Sequence, residues 1–126
     1  METNLHISNK TKGKLPRLPF AQLKSKILGG TYELSVAIVT PAESHRINLT
    51  YRQKDKPTNV LSFPLSKNSG ELILDLKTSA ADAKNFDMTK EQFFLFLVIH
   101  GMLHLKGFTH GSTMERAEKK FLKIFS

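Results

Sequence analysis

The sequence predicts an α/β fold: a single domain in which a mixed four-stranded sheet is packed by helices and one central helix is buried. Three observations carry this. Short runs rich in β-branched and apolar residues (Tyr32 to Val39, Thr58 to Phe63, Glu71 to Leu76) alternate with segments of helical periodicity. The stretch Phe93 to Ile99 is apolar on every side, as in a helix enclosed by the rest of its domain. A chain of 126 residues is long enough to bury one core and too short to divide into two.

Taken in order, residues 4 to 8 form a short first strand, and Lys10 to Lys14 with Gly13 read as a loop. His6 lies in this piece as an ordinary strand or surface histidine. From Pro16 to Leu28 the apolar positions Phe20, Leu23 and Ile27 follow helical spacing, and Gly29-Gly30 stops the helix. Tyr32 to Val39, with Val36-Ala37-Ile38-Val39 unbroken, has the composition of an interior strand covered on both faces. Thr40-Pro41-Ala42-Glu43 then combines an N-cap threonine, proline at the first helical position and glutamate three residues past the cap. The helix it starts runs to about Tyr51 and carries His45 in its first turns, an exposed or capping residue with no partner ligand nearby.

Gln53 to Pro57 is a charged turn, Thr58 to Phe63 a strand closed by Pro64, Lys67-Asn68-Ser69-Gly70 a turn, and Glu71 to Leu76 the next strand. Their short connection makes this pair antiparallel, beside strands joined by helical crossovers. Lys77 to Asn85 is helix-prone and Ala-rich. The central helix opens on Thr89-Lys90-Glu91-Gln92, a capping box, with Met88 and Phe93 spaced as a hydrophobic staple. A second capping box, Ser112-Thr113-Met114-Glu115, opens a last amphipathic helix with Ala117, Phe121 and Phe125 inward and Lys119, Lys120 and Lys123 outward.

Lys plus Arg exceeds Asp plus Glu by 19 to 11, a net charge of +8 gathered at Lys10/Lys12/Lys14/Arg17, Arg52/Lys54/Lys56 and Lys119/Lys120/Lys123. Such a balance points to a polyanionic partner, nucleic acid first, with a basic soluble surface that has no partner as an equal alternative on charge alone. With no cysteine, disulfides and thiolate metal ligands are excluded, so a metal must rely on histidine, carboxylate and water. The first twenty residues contain no apolar signal core, and Phe93 to Ile99 is too short to span a bilayer. The expected location is the cytoplasm, away from any membrane.

The central helix ends in His100-Gly101-Met102-Leu103-His104-Leu105-Lys106-Gly107-Phe108-Thr109-His110, which holds three of the five histidines. Residues four apart share a helical face, so His100 and His104 point at a common atom. Gly107 takes the positive φ that ends the helix and turns His110 back toward the same point. A buried histidine pair without a metal needs partners for its ring nitrogens, and the helix around it offers only Phe, Leu, Val, Ile and Met. Three imidazoles with one position open are the pattern of a catalytic zinc site, which predicts one Zn2+ per chain.

The spacing is similar to the HExxHxxGxxH string of the metzincin metalloproteases. Gly101 stands where those enzymes carry the glutamate that activates the zinc water, so a peptidase of that mechanism lacks its general base. His100 to His110 also resembles the HGxLHLxGxxH signature of the YbeY family of metal-dependent ribosomal RNA endonucleases. Ile47-Asn48-Leu49-Thr50-Tyr51-Arg52 is similar to that family's LNxxYR, and Asp55 to Pro64 to its DxPTxVLSFP. Gly70-Glu71-Leu72-Ile73 resembles the start of its GD-type strand, and the likeness covers roughly residues 32 to 125.

The resemblance implies that His100, His104 and His110 are zinc ligands and that Arg52 is the basic residue of the active-site cleft. It implies a zinc-dependent endoribonuclease acting on single-stranded RNA in ribosomal RNA maturation and ribosome quality control, within one YbeY-like metallohydrolase domain over residues 1–126. Ribosomal proteins or assembly factors are the protein partners it would bring. Without the resemblance, Arg52 reads as a solvated arginine at a helix end. Two residues depart from the family pattern: Thr109 stands before the third histidine where Asp is common, and Glu71 stands where Asp is usual. Two other functions stay open on the residues alone: a non-catalytic RNA-binding ribosome-assembly factor with a structural zinc, and a metallopeptidase.

Overall fold

In the computed structural model, which describes residues 4–126, four strands form one sheet: β1 (Leu5–Asn9), β2 (Glu33–Val39), β3 (Val60–Ser66) and β4 (Ser69–Asp75). Their order is β1-β2-β4-β3, parallel between β1 and β2 and between β2 and β4, antiparallel between β4 and β3. The helices are α1 (Phe20–Ile27), α2 (Pro41–Arg52), α3 (Leu76–Ala83), α4 (Lys90–Lys106) and α5 (Ser112–Phe125), with a 3₁₀ turn at Lys84–Phe86. The mixed sheet follows from the connections. Helices occupy the crossovers between parallel strands, whereas only Lys67 and Asn68 separate β3 from β4.

Side chains alternate across the sheet and build two layers. Leu34, Val36, Ile38, Leu72 and Leu74 belong to the main core with Leu95, Val98, Ile99 and Met102 of α4 and Phe20, Leu23 and Ile27 of α1. Ala37, Val39, Leu61 and Ile73 form the opposite face, on which Ile47 of α2 packs. The interior strand β2 is therefore buried on both sides from Val36 to Val39, as its unbroken apolar run predicts. Among the described residues no helix is long and apolar enough to cross a membrane.

The entry of α4 is fixed as its sequence requires. Thr89 Oγ1 accepts from Gln92 N–H at 3.1 Å, Gln92 Oε1 accepts from Thr89 N–H at 3.1 Å, and Met88 packs on the cluster around Phe93. In the C-terminal part of α4, Gly101 lets the helix press onto the sheet. A Cβ at this position would stand 2.7 Å from Leu72 Cδ2 and 3.2 Å from Ser62 Oγ. Ser62 Oγ–H in turn donates to the Gly101 carbonyl at 3.1 Å, pinning β3 to α4.

Strand β3 starts at Val60 rather than Thr58 and β4 at Ser69 rather than Glu71, and four further boundaries differ from the sequence expectation for a local reason. Helix α1 starts at Phe20 because Pro19 occupies its N-cap, and a residue before proline is held out of the helical region. Strand β3 continues through Pro64 to Ser66, which an edge strand tolerates because its outward N–H has no ladder partner to lose; the register shifts between Pro64 and Ser66. Leu76 begins α3 instead of ending β4, because the buried Asp75 caps the helix and accepts from Thr78 N–H at 2.9 Å. The expected capping box at Ser112 does not form: Gly111 is the N-cap, Ser112 is already helical, and no side chain caps α5.

Candidate metal centre

The last two turns of α4 present His100 and His104 side by side, with their Nε2 atoms 3.2 Å apart and ring centroids 4.6 Å apart. Gly107, at φ +108°, closes the helix by donating to the carbonyls of Leu103 and His104. The chain then turns back, and His110 arrives with its ring centroid 4.8 Å from that of His104 and 5.5 Å from that of His100. One ring nitrogen from each histidine lies within 4.8 Å of the other two. The convergence read from the spacing is present.

Each helical histidine has its other nitrogen engaged. His104 Nδ1–H donates to the Phe108 carbonyl at 3.0 Å, and His100 Nδ1–H donates to Glu118 Oε2 at 2.5 Å. Both partners are acceptors, so each neutral imidazole carries its proton on Nδ1 and aims the Nε2 lone pair into the pocket. Two lone pairs facing each other at 3.2 Å repel unless a cation lies between them. A proton is disfavoured there: burial, followed by the charge of His100, holds the pKa of His104 below the ordinary histidine value. A metal ion satisfies the arrangement, since nitrogen ligands at the usual zinc distance stand about 3.3 Å apart in a tetrahedron. The donor set therefore fits a metal.

Arg52, at the C-terminus of α2, comes to the same pocket of about 200 Å³, which Val60, Leu61 and Ser62 of β3 complete. Its position is set by polar groups buried in α2. Ser44 Oγ–H donates to the Thr58 carbonyl and accepts from Thr58 N–H, and Asn48 Nδ2–H donates to the Lys56 carbonyl. These bonds fasten the 53–58 turn to the helix. Among the described residues no hydrogen bond or ion pair holds the Arg52 guanidinium, so it is exposed and available to an anion in the pocket.

The remaining candidates lie apart. His45 faces Asp55 at 2.6 Å, outside the histidine cluster, and His6 is exposed on β1. Glu71 alternates with Leu72 along β4 and so lies on the α2 side of the sheet, opposite Phe63 and away from the three histidines. Thr109 is exposed on the loop before His110.

The carboxylate that does reach the histidines, Glu118, is absent from the sequence expectation. It is 8% exposed and stands on the buried side of α5 between Met114 and Leu122 at helical spacing. A charged residue on an apolar stripe was the available signal. Gly101 supplies a second correction of emphasis: besides lacking a carboxylate, the position faces Leu72 and Ser62 with no space for one.

Comparison with known proteins adds a consistent set of likenesses. A sequence model of the family described as Endoribonuclease YbeY matches residues 4–125. The chain is 35% identical to an Endoribonuclease YbeY of Syntrophotalea carbinolica, over 97% of its own length and 93% of the relative's. It is 38% identical to an Endoribonuclease YbeY of Acinetobacter baumannii over 69% of this chain and 62% of that protein. Among solved structures it is similar to the solution structure of TM1509 from Thermotoga maritima, with a TM-score of 0.67 and 29% identity over 94% of this chain and 87% of the other.

Proposed function

The chain belongs to the YbeY endoribonuclease family, and from that premise we propose that it is a zinc-dependent endoribonuclease that cleaves single-stranded RNA during ribosomal RNA maturation and quality control. The observation that carries the reading is the meeting of Arg52 with His100, His104 and His110 in one pocket. A cation site beside a free guanidinium suits a phosphodiester, whose non-bridging oxygens gather charge during transfer.

In this reading His100, His104 and His110 hold the ion through ring nitrogens, with Glu118 and the Phe108 carbonyl fixing two of the rings. When bound, the ion supplies Lewis acidity to a phosphate oxygen or to an attacking water. Arg52 binds the phosphate as a fork and orients it. The apolar Val60 and Leu61 exclude water from the inner wall. Residues 1–126 act as one YbeY-like metallohydrolase domain in the cytoplasm, with ribosomal proteins or assembly factors as partners. The basic clusters at Lys10/Lys12/Lys14/Arg17 and Lys119/Lys120/Lys123 hold further phosphates of the RNA.

The peptidase alternative is disfavoured because position 101 has no space for a catalytic carboxylate. The test is incubation of metal-loaded and chelated protein with single-stranded RNA, structured RNA and casein. Cleavage of single-stranded RNA that disappears with chelator and in His104→Ala is expected. RNA binding without cleavage would instead identify an assembly factor with a structural metal.

A further inference from the structure

Beside the histidine pocket stands an aromatic pair that neither the metal nor the phosphate employs. Tyr51, in the last turn of α2, is 65% exposed, and its ring meets that of Phe63 at 5.3 Å between centroids and 65° between planes. Tyr51 directly precedes Arg52, and Phe63 lies two residues from Leu61 on the same α2-facing side of β3; Arg52 and Leu61 both line the pocket. Two separate segments of chain thus each place an aromatic ring on the α2 side of the sheet, next to a residue that lines the pocket.

Phe63 is half-buried against the Ile73 cluster and serves as a fixed wall. Tyr51 is held by that wall rather than by the core, and its exposure leaves ring surface open to solvent. Resting on the RNA-cleaving reading, we propose that Tyr51, braced by Phe63, is a stacking subsite for a nucleobase adjoining the phosphate at the histidine pocket. Every base has a π face, so such a subsite is tolerant of sequence. A base inside a duplex has both faces covered by its neighbours, so the subsite selects single strands. Arg52, Lys54 and Lys56 follow Tyr51 in the chain and are exposed, placing backbone-binding cations next to the ring.

The composition makes a direct readout available. The chain has two tyrosines and no tryptophan, and the other tyrosine, Tyr32, is buried. Emission changes on ligand addition therefore report Tyr51. Metal-loaded protein is titrated with a short oligouridylate, with the same strand in a duplex, and with inorganic polyphosphate as a polyanion without bases. The single strand is expected to quench tyrosine emission and polyphosphate is not. Tyr51→Ser is expected to weaken single-strand binding about 5- to 100-fold while leaving polyphosphate and zinc affinity within about twofold. Tyr51→Trp restores RNA binding, and Tyr51→Phe restores it without the emission change.

Equal loss of RNA and polyphosphate binding in Tyr51→Ser would overturn the stacking role, as would unchanged single-strand binding. If that variant also cleaves RNA like the wild type, the endoribonuclease reading survives and only the subsite is lost. A wild-type protein that neither binds nor cleaves RNA removes both.

Discussion

His100 and His104 ride on a helix buried almost throughout its length, each with one ring nitrogen tied to an acceptor, whereas His110 and Arg52 are exposed and, among the described residues, have no hydrogen bond fixing their side chains. The inner half of the pocket is preorganised by core packing. The outer half lacks those side-chain restraints. Affinity for the ion should therefore reside mainly in the helix, and adaptation to substrate in the loop and the end of α2.

Replacing Gly101 by glutamate attacks the inner half most severely, because a buried side chain and its charge would enter the α4–sheet contact. We expect a loss of more than about 3 kcal/mol in chemical denaturation, or no folded protein at all. His104→Ala should weaken zinc binding on the order of 1000-fold and His110→Ala on the order of 10- to 100-fold, measured by chelator competition. Equal losses would erase the distinction between the halves. Arg52→Ala leaves zinc affinity within about twofold yet lowers RNA cleavage about 100- to 1000-fold, with partial recovery in Arg52→Lys. Glu118→Gln costs about 10-fold in zinc affinity and Glu118→Leu nearer 100-fold, since only the first keeps an acceptor for His100 Nδ1–H.

The smallest effect concerns the metal-free protein. The native state holds His104 neutral at pH values where the unfolded chain protonates it, because its folded pKa is lowered, chiefly by burial. Unfolded protein then binds more protons, so stability is full above the ordinary histidine value of about 6.5 and is lost as pH falls through the lowered one. Thermal unfolding in chelator should show a lower Tm at pH 5.5 than at pH 7.5, and a smaller difference in His104→Gln. An undiminished difference in that variant would assign the effect to other groups.

The inner half was the more legible in sequence. Its signals are local: a four-residue interval, a glycine with positive φ and an all-apolar run that can only be interior. Arg52 could be placed at the pocket only through family resemblance, because the fold brings α2 and α4 together across β3 and no nearby spacing reports it. Glu118 escaped for the same reason: eighteen residues separate it from His100, and its partnership is tertiary. Ser112 misled because a capping sequence was present one position too late, Gly111 having already admitted the chain to the helix. Thr109, where the pattern of the family has Asp, is solvent-facing, and the carboxylate beside the cluster comes from α5 instead.

The edge position of β3 bears on how the molecule behaves in concentrated solution. An unpaired strand edge invites a neighbouring molecule to add its own strand, and here that edge borders the pocket. Pro64 withholds one N–H from any such ladder, and the shift in register before Ser66 breaks its repeat. The interruption that ends regular pairing thus discourages self-association along the one margin where a second copy of the protein would shut the mouth of the pocket.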